Sequence, residues 1–89
     1  MPERQLEIIN KLGLHARAAS RLVKLAGRFE SSVDIEKDGQ RVNAKSIMGV
    51  MMLAAGCGST ITLHTEGSDA DAALTAVAEL IDNRFDEDE

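Results

Sequence analysis

The sequence predicts an α+β fold: an open-faced β-sandwich in which a four-stranded antiparallel sheet carries three helices on one face. Three observations lead to it. Short segments of two-residue alternation are interleaved with segments of helical period, in the order strand, helix, strand, strand, helix, strand, helix. An Asp-Gly pair, Asp38-Gly39, sits between the second and third strand patterns, the signal of a tight hairpin. The 89 residues, 44% hydrophobic, suffice for one domain over residues 1–89 with a modest core.

Each element has its own local reason. Leu6 and Ile8 alternate with Gln5 and Glu7 as in a half-buried strand, and Asn10 to Gly13 supply turn chemistry. From Ala16 the period becomes helical, with Ala19, Leu22, Val23 and Ala26 inward and Gly27 placed to stop the helix. Val33 and Ile35, then Val42 and Ala44, form the arms of the hairpin. Ser46 caps a short apolar helix expected to end around Gly56, with Ile47, Val50, Met51 and Ala54 as its core-facing row. Ile61, Leu63 and Thr65 mark the last strand, which points His64 out to solvent. Ser68-Asp69-Ala70-Asp71 reads as a capping box for a helix with Ala73, Leu74, Val77, Leu80 and Ile81 inward. The acidic tail 86–89 is expected to fray.

Composition excludes several classes of function. The net charge is −5 and the only aromatics are Phe29 and Phe85, which disfavours nucleic-acid binding. That charge is unevenly placed: residues 1–45 hold nine of the ten Lys and Arg against six acids, whereas residues 46–89 hold one against nine. Such polarity suits protein partners. The run IMGVMMLAA is too short to cross a bilayer, and no basic and apolar leader opens the chain, so a cytoplasmic protein is expected. One cysteine, Cys57 between Gly56 and Gly58, fits a surface loop in a reducing compartment. Two histidines and one cysteine make no metal set. A nucleotide-binding glycine loop is missing, and no Ser, His and acid arrangement stands out, so neither a cofactor nor stand-alone catalysis is expected.

The stretch NKLGLHARAAS carries the chemistry. With the helix starting near Ala16, His15 takes the cap position, beside N–H groups that the helix leaves unpaired. These donors and the positive end of the helix dipole favour an anion, and Arg17 adds a planar cation suited to phosphate. A neutral imidazole is nucleophilic and forms a labile N–P bond, so the stretch suits carriage of a phosphoryl group. A polar cap without chemistry competes with this reading. At about 100° per residue, Arg17, Arg21, Lys24 and Arg28 fall within about 60° of one another, opposite the apolar row. The stripe is either a solvated face or a docking surface for an acidic partner. In the second helix Met48 and Met52 add apolar side chains beyond the core row, as core filler or as adaptable contacts; the pattern does not say which of Met48, Met51 and Met52 is exposed.

GLHARAAS followed by KSIMGVMMLAAG, at this spacing and in a chain of this length, resembles the HPr family of histidine-containing phosphocarriers in the bacterial phosphoenolpyruvate-dependent phosphotransferase system. NKLGLHARA and the ending NRFDEDE are more similar to its nitrogen-related NPr branch than to its sugar branch. The resemblance covers nearly the whole chain and implies the same four-stranded, three-helix sandwich. It implies that His15 is phosphorylated through Nδ1 by enzyme I, that Arg17 stabilises the phosphoryl group, and that enzyme IIA-type proteins are the acceptors. It further implies that Ser46 is a regulatory phosphorylation site where an HPr serine kinase/phosphorylase exists. Arg21, Lys24, Ile47, Met48, Met51 and Met52 would form the partner surface of a monomer. One departure is Ala18, where the family usually has proline after the arginine; proline is tolerated but not required in a first helical turn. Two other classes stand against a carrier: a regulatory binding module without phosphoryl transfer, and a small enzyme, such as a phosphatase, with a phosphohistidine intermediate.

Overall fold

The computed structural model describes residues 2–86. It contains strands β1 (Glu3–Glu7), β2 (Ser32–Lys37), β3 (Gln40–Asn43) and β4 (Thr60–Glu66), and helices α1 (Ala16–Ala26), α2 (Ile47–Met52) and α3 (Ala70–Asp82). A 3-10 turn, Arg84–Asp86, follows. The element order is the one the sequence predicts. Every neighbouring pair of strands is antiparallel, in the order β1-β4-β2-β3.

The last strand therefore enters the middle of the sheet. Its alternation explains the placement: Ile61 faces Leu6 of β1, and Leu63 faces Ile35 of β2, so one apolar row is completed on both sides. With Ile8, Val33 and Ala44 these side chains form the sheet side of the core. Ala18, Ala19, Leu22 and Ala26 of α1, Val50 of α2, and Ala73, Val77, Ala78 and Ile81 of α3 supply the helix side. In the hairpin, Asp38 (φ 52°) and Gly39 (φ 84°) are both left-handed, the signature of the primed turn that the Asp-Gly pair predicts.

Gly27 ends α1 as expected, as its C-cap; it does so with a right-handed backbone (φ −66°), donating its N–H to Val23, and the chain leaves through tight turns at Arg28 and Phe29. Several other local expectations are corrected. Helix α2 ends at Met52, well before Gly56, because Ala54 turns to φ 52°. Only Val50 of its expected inward row is buried, joined by Leu53 and Ala55, while Ile47, Met51 and Ala54 are exposed. At Gly49 a Cβ would lie 3.5 Å from the Val42 side chain, an ordinary packing distance. Gly49 thus lies on the β3 side of α2, with Val50 facing the core and the methionines facing out.

The predicted capping box does not form. Asp69 occupies the cap of α3 without a capping bond, and its carboxylate instead accepts the Ser31 hydroxyl, the Ser31 N–H at 2.9 Å and the Glu30 N–H at 3.1 Å. These donors, the Ser31 hydroxyl foremost, hold the Asp69 carboxyl below the usual carboxylate range. The cap residue has become a tie between α3 and the start of β2. His64 does lie on the open face of the sheet, yet its side chain is only 16% exposed, held between Glu3 at 3.2 Å and Glu36 at 2.8 Å. The expected fraying at Asp86 is not seen either: Asp86 closes the turn that buries Phe85 completely, and residues 87–89 lie outside the described residues.

Candidate functional site

His15 is the cap residue of α1, with extended backbone (φ −74°, ψ 177°). Its carbonyl accepts the Ala19 N–H at 2.8 Å, the first turn of the helix, and its Nδ1 accepts the Arg17 N–H at 3.3 Å. The half-buried ring thus presents Nδ1 to the N–H end of an eleven-residue helix, where partial positive charge gathers. Arg17 is exposed on the first turn. Ala18, the third helical residue, is completely buried; where a proline would have no donor, it carries an N–H at a position the helix does not bond internally.

The loop leading to His15 is held from both sides. Gly13 adopts φ 65°, and a Cβ on it would lie 2.6 Å from the Ala55 carbonyl oxygen and 2.7 Å from Gly56 Cα, so glycine is required by conformation and by space. The Leu14 N–H donates to the Ala55 carbonyl at 2.8 Å. Inside the loop, the fully buried Asn10 side chain donates to the Gly13 carbonyl at 2.8 Å. The histidine is therefore tied to the segment that follows α2.

That link sets the apolar surface beside the histidine. Met48 and Met52 are two-thirds exposed (68% and 67%), and Met51 and Ile47 about two-fifths (42% and 40%). All three methionines left unassigned by the pattern face solvent. Leu12, in the histidine loop, is also exposed (63%); sequence reasoning missed it because a loop residue has no periodicity to betray its side. Of the basic stripe, Lys24 and Arg28 are exposed, while Arg21 is half-buried and donates its guanidinium to the Phe85 carbonyl. Arg21 thus braces the C-terminal turn as well as bordering the stripe. Ser46 caps α2 as expected, its hydroxyl accepting the Gly49 N–H at 3.2 Å. Cys57 is exposed in the adjoining loop.

The family model described as "PTS HPr component phosphorylation site" matches residues 2–83. The phosphocarrier protein HPr of Cupriavidus necator is 58% identical over 89 residues, all of both chains. The phosphocarrier protein NPr of Shewanella violacea is 51% identical over 85 residues, covering 96% of this chain and 93% of its own. A crystal structure of HPr-C-His from Thermoanaerobacter tengcongensis superposes with a TM-score of 0.96 at 45% identity, covering all of both chains. A crystal structure of an HPr dimer from the same organism gives 0.79 at 46% identity, over 98% of this chain and 100% of the other. Matches this extensive, on a fold with a histidine at the N–H end of its first helix, place the chain in the HPr family of phosphotransferase-system phosphocarriers.

Proposed function

We propose that the protein accepts a phosphoryl group on Nδ1 of His15 from enzyme I and passes it to an enzyme IIA-type acceptor. The observation that carries this reading is the direction of Nδ1 toward the Arg17 N–H. A nitrogen that accepts a hydrogen bond has its lone pair there, as a nucleophile must. Attack on the donor's phosphohistidine forms the new N–P bond as the donor's N–P bond breaks, and transfer to the acceptor repeats the exchange in reverse. The Arg17 N–H, displaced from the ring lone pair, is then placed to bond a phosphoryl oxygen, with the Arg17 guanidinium as the mobile counter-charge. No cofactor takes part, and the carrier turns nothing over without its two partners.

The docking surface in this reading is Leu12, Ile47, Met48, Met51 and Met52, bordered by Arg17, Arg21 and Lys24. Apolar adaptable contacts supply affinity, and the basic border selects acidic partners. Phosphorylation of Ser46 by an HPr serine kinase/phosphorylase would add about two negative charges beside that patch and weaken docking. With only six residues, α2 gives such a phosphate a short helix dipole to rest on, so the effect falls on the partner more than on the fold. The working form is a cytoplasmic monomer.

The test is phosphorylation from phosphoenolpyruvate with purified, active enzyme I, read by intact mass and acid lability. Gain of one acid-labile phosphoryl group by the wild type, and none by His15→Ala, is the expected result. No gain by the wild type would favour a binding module in which His15 is a cap. Hydrolysis of a small phosphoester by the isolated chain would favour the phosphatase.

A further inference from the structure

We infer that Asn10 is a positioning residue for His15, acting through the peptide group between Gly13 and Leu14. The inference rests on the phosphoryl-acceptor reading of His15. That peptide is held at both ends: its C=O accepts from Asn10 Nδ2 at 2.8 Å, and its N–H donates to the Ala55 carbonyl at 2.8 Å. A peptide turns only as a rigid plane, so bonds at both ends prevent it from flipping. The backbone of Asn10 closes the same loop, accepting the Gly13 N–H at 3.1 Å.

Two features make Asn10 specific to this task. It is one of three buried polar side chains among the described residues, and it lies completely inside at the end of the loop, where burial is unfavourable unless the group is bonded. Its donor also determines which way the Gly13 carbonyl points. Held by the buried carboxamide, this oxygen keeps one direction; released, the peptide is free to turn its negative end toward an arriving anion. Gly13 cannot resist that swing by itself, because glycine has the widest choice of backbone angles. Asn10 thus fixes the entry into the cap conformation that aims Nδ1 at the Arg17 N–H, without touching the reacting group.

Asn10→Asp tests this directly, since it keeps the size and replaces the donor with an acceptor facing the Gly13 carbonyl. Asn10→Ser serves if that protein does not fold, and Val77→Ala in α3 is the control for loss of stability without loss of the clamp. Transfer from phosphorylated enzyme I is measured with kcat and KM separated, alongside the hydrolysis rate of the isolated phosphoprotein and the His15 ring resonances of the unmodified protein across pH. The expected result is kcat lowered about ten- to a hundredfold with KM within about twofold. Altered hydrolysis and altered His15 resonances are expected with it, none of them in Val77→Ala. Unchanged resonances and hydrolysis, or a loss that follows only the unfolded fraction as in the control, would overturn the role of Asn10. Absence of phosphorylation in the wild type would instead remove the reading on which it rests, a different outcome from a defect confined to the variant.

Discussion

Replacing Phe85 by alanine should cost less than its complete burial suggests. Truncating a buried phenylalanine usually costs about 3–5 kcal/mol. Here the side chain sits on a turn whose three residues, Arg84, Phe85 and Asp86, all have left-handed backbones (φ 56°, 55° and 62°). Holding three non-glycine residues in that region costs about 3–6 kcal/mol, at about 1–2 kcal/mol each. Against it stand burial of the ring, about 4–6 kcal/mol, and the charged hydrogen bond from Arg21 to the Phe85 carbonyl, about 1.5–3 kcal/mol. At the middle of these ranges the docked turn is stable by only about 2–3 kcal/mol. Once the ring is lost, the turn detaches before a cavity forms, and the loss is capped near that value, a fall in Tm of about 8–24 °C. Urea unfolding followed by circular dichroism measures it, together with Arg21→Ala and the double variant. Detachment makes the pair non-additive, because Arg21 has no carbonyl left to bond in the Phe85→Ala background. A loss of about 4–5 kcal/mol with additive effects would show a turn that stays docked and would refute the reasoning.

Three further outcomes follow from the same geometry. Gly67→Ala should destabilise by about 2–4 kcal/mol in denaturant titration, because its φ of 140° suits glycine and a Cβ there would lie 2.6 Å from Ser31 Oγ and 2.8 Å from Ser31 Cα. The depressed Asp69 carboxyl should add stability that is fully present above its ordinary value near 4 and lost as pH falls through its lower folded value; in Asp69→Asn the fall in Tm on acidification should be shallower, and an unchanged slope would count against the Ser31 tie. Ser46→Ala should lose about 1 kcal/mol of stability with the cap bond to Gly49, while Met51→Asp should leave Tm nearly unchanged and raise the Kd for a partner by tenfold or more, read by calorimetry.

The sequence by itself determined the element types, the hairpin turn and the two helix caps that matter most, His15 and Ser46. Each is a local property: two-residue or helical alternation, an Asp-Gly pair, a polar residue just before a helix. The resemblance carried by GLHARAAS and KSIMGVMMLAAG then supplied the family. What only the tertiary structure decided is everything that depends on a distant neighbour. β4 enters between β1 and β2 because both flanks offer apolar partners for Ile61 and Leu63, which no window of sequence displays. The methionines of α2 face solvent while Gly49 sits on the β3 side near Val42, a placement across elements that the inward row read from α2 by itself did not show. Asp69 gave up its capping role for Ser31, and His64 acquired two carboxylate neighbours, because side chains far apart in the chain satisfied their hydrogen bonds better than local partners did. Phe85, in an acidic C-terminal stretch, reached the core through a turn that no propensity favours, since burial of the ring and the Arg21 bond outweigh the cost of its backbone.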